Sequence, residues 1–411
     1  MPPDASLLVV GAGPAGLLAA WAAARRHLPN GVRVIDRMSE AGRKLAATGG
    51  GRGNLSHLAD EEEFAAAFGK SGRFTLPAFR ALPPEGLRAL LAEAGIPTTI
   101  DPAGRIYPRS QSAAQTRDAL FNACSRAGVR FQFNHPVKTL SPPSAPQDPW
   151  RVDSCSARSV LLAAGGQSAP PLGSDGSGFG LAAALGYDIV PPAPALTSLR
   201  TVETWPASHS GLSLSDVAIA ADALRGRAAT ERGELLFTHQ GISGPAVLNL
   251  SGRIARRLLS EKTVQLRLAL LPESPDFRRL RETDGARPLH AWLARHLPRA
   301  LAGTILELAD IPLDQPFARL TVAQENRLRI HLSALPLTIR GTGGFAESMA
   351  TSGGVSLKQV HPGTLEGRLT PRLHFAGEIL DLDGPTGGWN LHWAFCSGHL
   401  VGSLAAPSPE D

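Results

Sequence analysis

Cysteine is scarce. The chain has three, Cys124, Cys155 and Cys396, and they form no C-x-x-C pair, no metal-ligand spacing and no even set for a disulfide framework. A dithiol redox motif and a structural zinc site are excluded, no metal is expected, and a reducing compartment, the cytoplasm, is the expected location. Lysine is also rare: it occupies only positions 44, 70, 138, 262 and 358, so 36 of the 41 basic residues are arginine. Those arginines are scattered and the net charge is only +5, so charge alone implies no nucleic-acid partner. The 43 glycines and 34 prolines show no repeat period, which excludes collagen-like and solenoid folds. Ala5 to Ala24 lacks charge, yet it contains Gly11, Gly13, Pro14 and Gly16 and follows Asp4, so neither a membrane span nor a signal peptide is expected. At 43% hydrophobic and 19% charged, 411 residues suffice for two or three well-packed domains.

The most informative stretch runs from Ser6 to Asp36. Leu7 to Val10 reads as a buried parallel strand, and Gly11-Ala12-Gly13-Pro14-Ala15-Gly16 follows at once as G-x-G-x-x-G. An Ala/Leu-rich helix to about Arg26 and a second apolar run, Val32 to Ile35, end in Asp36, 20 residues after Gly16. Strand, glycines, helix, strand and acid in this order are the dinucleotide-binding arrangement. Gly11 permits the tight turn, Gly13 lets backbone approach a pyrophosphate, and Gly16 lets helix and sheet pack closely. The helix start presents unpaired N–H groups to the phosphates, and Asp36 accepts hydrogen bonds from a ribose.

The next segment carries Arg43, Lys44, Thr48, Gly49, Gly50, Gly51, Arg52, Asn54 and Leu55, a glycine-rich loop with cationic neighbours suited to a cofactor wall. Helices are expected near Glu61–Phe68, Leu76–Ala81, Glu85–Ala94 and Ser112–Ala127, and short strands at Thr98–Ile100, Arg105–Tyr107, Val129–Phe133, Val137–Leu140, Val152–Ser154 and Arg158–Leu162. The run Ser159 to Gly166 is a buried strand ending in Ala163, Ala164 and Gly165, small residues that suit close passage by a cofactor. Gly173 to Gly180 opens a helix and is a weaker phosphate-loop candidate for a nicotinamide.

Prolines 191, 192 and 194 mark a boundary. Beyond them a β-rich insert is expected, with strands at Val217–Ala220, Ala221–Ala228 and Glu234–Phe237, then a helix that Gly241-Ile242-Ser243-Gly244-Pro245 starts and that runs through about Leu259, and three arginine-rich helices up to Leu335. The expected organisation is 1–190 and 336–411 as one cofactor domain, with 191–273 a β-rich insert and 274–335 a helical one. Toward the end, Gly341–Gly344, Thr351–Val355 and Asp381–Asn390 read as loops, and Leu391 to Leu404 as an apolar helix after Gly387, Gly388, Trp389 and Asn390. That helix supplies a second anion-stabilising terminus. A flavin dinucleotide has two such needs: its pyrophosphate, and the ring edge that becomes negative on reduction. FAD is therefore the expected cofactor.

The stretches GAGPAGLLAA, GRKLAATGGGRGNLS, LLAAGG, FTHQGISGPAVLNLS, GTGGFAESMATSGGVSL and FAGEILDLDGPTGGWNLHWAFCSG, in this order, resemble the bacterial flavoproteins labelled aminoacetone oxidase-like or bile-acid-inducible-N-like NAD(P)/FAD-dependent oxidoreductases. The resemblance spans nearly the whole chain. It implies an α/β, glutathione-reductase-type FAD-binding Rossmann domain built from both chain ends, with an inserted β-barrel-like subdomain and a small helical subdomain. It further implies that FAD touches Gly11, Gly13, Pro14, Ala15, Asp36, Arg37, Lys44, Gly50, Gly51, Arg52, Asn54, Leu55, Val137, Gly377, Glu378, Gly388 and Asn390. Two positions depart from the family pattern: Gly53 stands where it usually has cysteine, and Trp389 where it usually has tyrosine.

The expected activity is hydride transfer between FAD and a small organic molecule, reducing an enone-like bond or oxidising an amine, with NADH or NADPH as a transient donor. Candidates for acid/base or anion-steadying work are His392, His239, Glu378 and Arg52. The alternatives are a flavin-dependent RNA-modifying enzyme, which the pI of about 9.5 keeps open, and a flavin-binding regulator without turnover. The sequence sets no oligomeric state.

Overall fold

The computed structural model describes residues 3–28, 30–271, 273 and 275–405. The chain forms two compact units, one from the residues up to Ala193 together with those from Met349 onward, the other from Pro194–Ser348.

The first unit is built on the strand Ala5–Val10, every residue of which is buried. It pairs in parallel with Val32–Ile35 on one side and Cys155–Leu162 on the other. Arg130–Gln132 extends the sheet beyond Val32–Ile35. Leu373–Phe375 pairs in parallel with Val160–Leu162, so a strand from late in the chain completes a sheet begun by the first residues. Trp150–Val152 and Leu140–Ser141 add an antiparallel ribbon along the first half of Cys155–Leu162. Val137, expected in a strand with Leu140, instead lies half-buried in irregular chain. The intervening helices, Glu61–Ala67, Gly72–Ala81, Pro84–Glu93 and Ala113–Arg126, agree with the periodic apolar pattern.

Pro14–Ala24 packs on this sheet, and Trp389–Leu404 packs on Pro14–Ala24. They touch through backbone. A Cβ on Gly398 would stand 2.0 Å from the Ala15 oxygen, and one on Gly402 2.2 Å from the Ala19 oxygen. Contacts that advance by four residues on both helices make them parallel, and glycine at i and i+4 allows the approach.

The second unit is a closed barrel of six strands: Leu199–Thr201, Gly241–Ser243, Thr230–Thr238, Ser213–Ala221, Val264–Ala269 and Leu335–Thr342, in that order around the ring. Alternation directs Val217, Ile219, Leu266, Leu268, Leu335, Leu337 and Ile339 into one core, which the helix Pro245–Leu258 joins through Val247, Leu250 and Ile254. Four helices, Phe277–Asp284, Leu289–Leu293, Arg299–Leu308 and Val322–Ser333, share that core where three were expected. The strand expected over 221–228 stops at Ala221, and the next runs longer, Thr230–Thr238. Leu335–Thr342 closes the ring against Val264–Leu268 and Leu199–Thr201, so 336–348 belongs to this unit and not to the cofactor domain expected from residue 336. Its glycines, Gly341 and the following pair, read as a loop and masked the alternation that precedes them. Among the described residues no helix is long and apolar enough to cross a membrane.

Candidate functional site

The turn after the first strand is held by two glycines with no room for a side chain. Gly11 has φ +107° and a Cβ there would lie 2.4 Å from the Ala163 oxygen; a Cβ on Gly16 would lie 1.9 Å from the Gly11 oxygen. Gly13 differs: nothing lies within 4 Å of where its Cβ would stand. It precedes a helix with Pro14 at its start and no side-chain cap. The first backbone N–H groups of that helix therefore have neither an intrahelical nor a capping partner and carry the positive end of the dipole. Asp36 ends the second strand and accepts from the N–H of Ala12 at 2.6 Å and of Met38 at 2.7 Å. Burial raises its pKa, against the opposing pull of those two N–H groups and of Arg37. An ionised carboxylate has about four acceptor sites, so capacity for a ribose remains. Arg37 itself forms an ion pair with Asp175.

The glycine-rich turn is left-handed at Gly49, Gly50, Gly51 and Gly53, with φ of 59°, 64°, 86° and 80°. Open space lies above Gly50 and Gly51. Thr48 donates to the Leu45 carbonyl at 2.7 Å and so braces the turn. Arg52 is exposed, its guanidinium 5.3 Å from the centre of the Tyr107 ring. Leu55 is fully buried. Asn54 carries a buried side-chain oxygen that has no partner among the described residues, 2.8 Å from where a Cβ on Gly388 would stand.

Gly388, with φ +102°, precedes the C-terminal helix, which again has no side-chain cap. A Cβ there would lie 2.5 Å from the Ser56 oxygen, so the strand after the glycine-rich turn is packed against this terminus. Trp389 stacks on His57 with centroids 4.5 Å apart, and Leu391 is buried. The Asn390 side chain accepts from the Gly384 N–H and donates to the Gly384 carbonyl, both at 2.8 Å, so it braces the preceding loop. Gly377, with φ +75°, is fixed to the same helix: its N–H donates to Ser397 Oγ at 3.0 Å and its carbonyl accepts from Trp393 Nε1 at 3.1 Å. A Cβ on Gly377 would stand 3.0 Å from Ala15 Cβ. Ala164 packs against Gly11, and Gly165 adopts φ +76° where a Cβ would meet Ser174 Oγ at 2.6 Å.

The two uncapped termini are offset along one packed pair. Gly398 is the tenth residue of its helix and Ala15 the second of its own. At 1.5 Å per residue the C-terminal helix therefore starts about 12 Å before the N-terminal one. An extended ligand with two anion-sensitive ends suits that offset.

The acid/base candidates separate. His392 is 1% exposed, lies between Phe64 and Phe79, and has Nδ1 2.7 Å from Ser56 Oγ. Burial pushes its pKa down to about 4, so it is a neutral core histidine with no surface for a substrate. His239 lies in the second unit, exposed at the turn between Thr230–Thr238 and Gly241–Ser243. Glu378 and Lys44 pair with each other at 2.5 Å. Ser168 and Thr351, which sequence reasoning missed, bond to them; no local pattern marks a serine or threonine that distant segments bury.

FAD fits these residues on three counts: open space over Gly13, Gly50 and Gly51, two uncapped helix starts, and the orphaned Asn54 oxygen beside the second of them. The fold is a Rossmann-type FAD-binding domain of mixed α/β structure with a six-stranded barrel. The family model described as the HI0933-like protein Rossmann domain matches residues 5–404, and the chain belongs to that family. It is 33% identical to a 3-dehydro-bile acid delta(4,6)-reductase of Clostridium scindens, across 98% of this chain and 99% of that protein. It is 28% identical to a ribosomal RNA dihydrouridine synthase of Haemophilus influenzae, across 95% and 96%. Among solved structures, 3-ketosteroid delta1-dehydrogenase from Sterolibacterium denitrificans superposes with a TM-score of 0.53 at 14% identity, over 98% of this chain and 99% of that one, which is a likeness of fold. The chain is an FAD-dependent oxidoreductase.

Proposed function

We propose that the chain saturates a carbon–carbon double bond conjugated to a carbonyl in a small cyclic substrate, with the hydride drawn from NADH or NADPH by way of bound FAD and the balancing proton from solvent. The observation that carries the flavin half is the pair of uncapped, parallel helix starts about 12 Å apart, one behind Gly13 and one behind Gly388. The reductive half rests on chemistry common to the two relatives: the name of each describes loss of a double bond conjugated to a carbonyl. FAD, when bound, supplies the hydride. Around it Gly13 and the helix start receive the pyrophosphate, Asp36 the ribose, and the Gly388 terminus the ring edge that gains charge. Arg37, Lys44, Thr48, Gly49, Leu55, Val137, Ala164, Gly165 and Leu391 belong to the proposed FAD-contact set, as do Glu378 and the other residues that the family resemblance implies. Arg52, exposed and without an ion pair among the described residues, is the cation we assign to steady a carbonyl oxygen that turns negative as hydride arrives.

A steroid-like enone is the favoured substrate class, because the bile-acid reductase shares more identity over a longer alignment. Uridine in RNA is the second reading, favoured by the dihydrouridine synthase relative. Three buried, unbridged cysteines suit the cytoplasm. The test is anaerobic incubation of FAD-loaded protein with NADH or NADPH and either a 3-oxo-4,6-diene steroid or a uridine-containing RNA. A mass gain of two hydrogens in the steroid supports the first reading, and the same gain in RNA alone supports the second. Flavin that NADH and NADPH both leave oxidised overturns the donor assignment.

A further inference from the structure

Behind Lys44 and Glu378 lie two buried hydroxyl residues, Ser168 and Thr351, that the reading above does not use. Ser168 and Thr351 are both fully buried, an expensive place for hydroxyls unless they are bonded. They are. Glu378 Oε1 accepts from Ser168 Oγ at 2.6 Å and from the Thr351 N–H at 2.6 Å, while Oε2 accepts from Lys44 Nζ at 2.5 Å. Lys44 Nζ also donates to Ser168 Oγ. Thr351 Oγ1 in turn accepts from the N–H of Gln167 at 2.8 Å and of Ser168 at 3.1 Å. Gly166 closes the cluster from below, where a Cβ would stand 2.4 Å from Thr351 Oγ1 and 3.1 Å from Glu378 Cγ.

The arrangement is one-sided. Its back, Ser168 and Thr351, is sealed, whereas the Lys44 and Glu378 side chains keep 25% and 21% of their surface open. Its front adjoins the proposed cofactor contacts. Glu378 follows Gly377, which abuts Ala15 at the first helix start. Lys44 follows Gly42, whose N–H donates to the Ala12 carbonyl at 2.9 Å. Four segments far apart in sequence thus meet at a single carboxylate: the Ser168 hydroxyl and the Thr351 N–H bond it directly, and the Thr351 hydroxyl fixes the Ser168 backbone behind it.

We propose that Ser168 and Thr351 are positioning residues that act through Glu378, holding its carboxylate and the Lys44 ammonium in the orientation that receives FAD. The proposal rests on the flavin reading, and the test separates the two. FAD dissociation constants are measured by flavin fluorescence for the wild type, Ser168→Ala, Glu378→Ala and the double variant, with thermal unfolding of each apo chain as a fold control. Ser168→Ala is expected to weaken FAD binding about tenfold in the wild-type background and less than twofold in the Glu378→Ala background, because a hydroxyl that works only through the Glu378 side chain then has nothing left to orient. Thr351→Ser, which keeps the acceptor, is expected to bind FAD within about twofold of wild type, and Thr351→Val is not. Equal losses from Ser168→Ala in both backgrounds, or no loss in either, overturn the positioning role. A wild-type chain that binds no FAD overturns the flavin reading itself.

Discussion

A methyl group on Gly398 tests the helix contact on which the site geometry depends. In Gly398→Ala the new Cβ would lie 2.0 Å from the Ala15 oxygen and 2.8 Å from its carbonyl carbon. Both are backbone atoms in a helix, so no side chain can swing aside, and the helices must part by about 1.4 Å to restore ordinary contact. Overpacking of this kind costs typically 1–3 kcal/mol, here at the upper end because the obstruction is rigid. Alanine regains about 1 kcal/mol through its better helix propensity. A net loss of about 2 kcal/mol lowers the melting temperature by about 4–8 °C. The same displacement shifts one anion-binding terminus against the other. A terminus contributes about 0.3–2 kcal/mol to a bound anion, so the FAD dissociation constant is expected to rise between about twofold and thirtyfold. Thermal unfolding of the apo chain and an FAD titration read the two effects separately. A variant that melts and binds FAD like wild type would refute the close approach and the offset derived from it.

Acid lability is a second expectation. His392 has a folded pKa of about 4, below its value in the unfolded chain, so its contribution to stability is full above about pH 6.5 and is lost as the pH falls toward 4. Burial moves His209, His331, His374 and His399 in the same direction. The melting temperature should therefore drop between pH 6.5 and 4, and less steeply in His392→Gln; an equal slope in the two proteins would contradict the assignment. Thiol chemistry gives a third. Cys124 is held at about pKa 12 and Cys396 is pushed up as well, both by burial, and Cys155 is buried too. A thiol reagent at neutral pH should label essentially nothing in the native chain and all three cysteines after denaturation. Asp36→Ala removes the acceptor for the Ala12 and Met38 N–H groups and the proposed ribose partner, and should weaken FAD binding by about tenfold or more in the same titration.

What the sequence disclosed follows the range of the interactions. The first strand, its glycines and Asp36 were legible because a turn, a helix start and an acid lie within one short βαβ unit, and each imposes a local residue requirement. The return of the chain to the cofactor domain was legible from the glycine-rich stretches near its end, whereas the pairing of Leu373–Phe375 with Val160–Leu162 was not. The last barrel strand was not: Leu335, Leu337 and Ile339 alternate correctly, but their partners lie more than sixty residues away and the glycines that follow imitate a cofactor loop. The sequence does not show that both ends of the Asn390 amide bond to Gly384 and so brace the loop before the last helix. Ser168 and Thr351 left no trace in the sequence, since nothing local distinguishes a serine on a surface turn from one buried by segments 183 residues apart. Gly398 and Gly402 were readable in principle as a small-residue stripe on the last helix, but not which partner it faced.

The most direct measurement of the central claim is a titration of the purified apo chain with FAD, followed by anaerobic addition of NADH or NADPH while the flavin absorbance is recorded. The account predicts saturation at one FAD per chain, then bleaching of the yellow band by a nicotinamide donor. A chain that stays colourless in excess FAD would contradict the site drawn across the two helix starts.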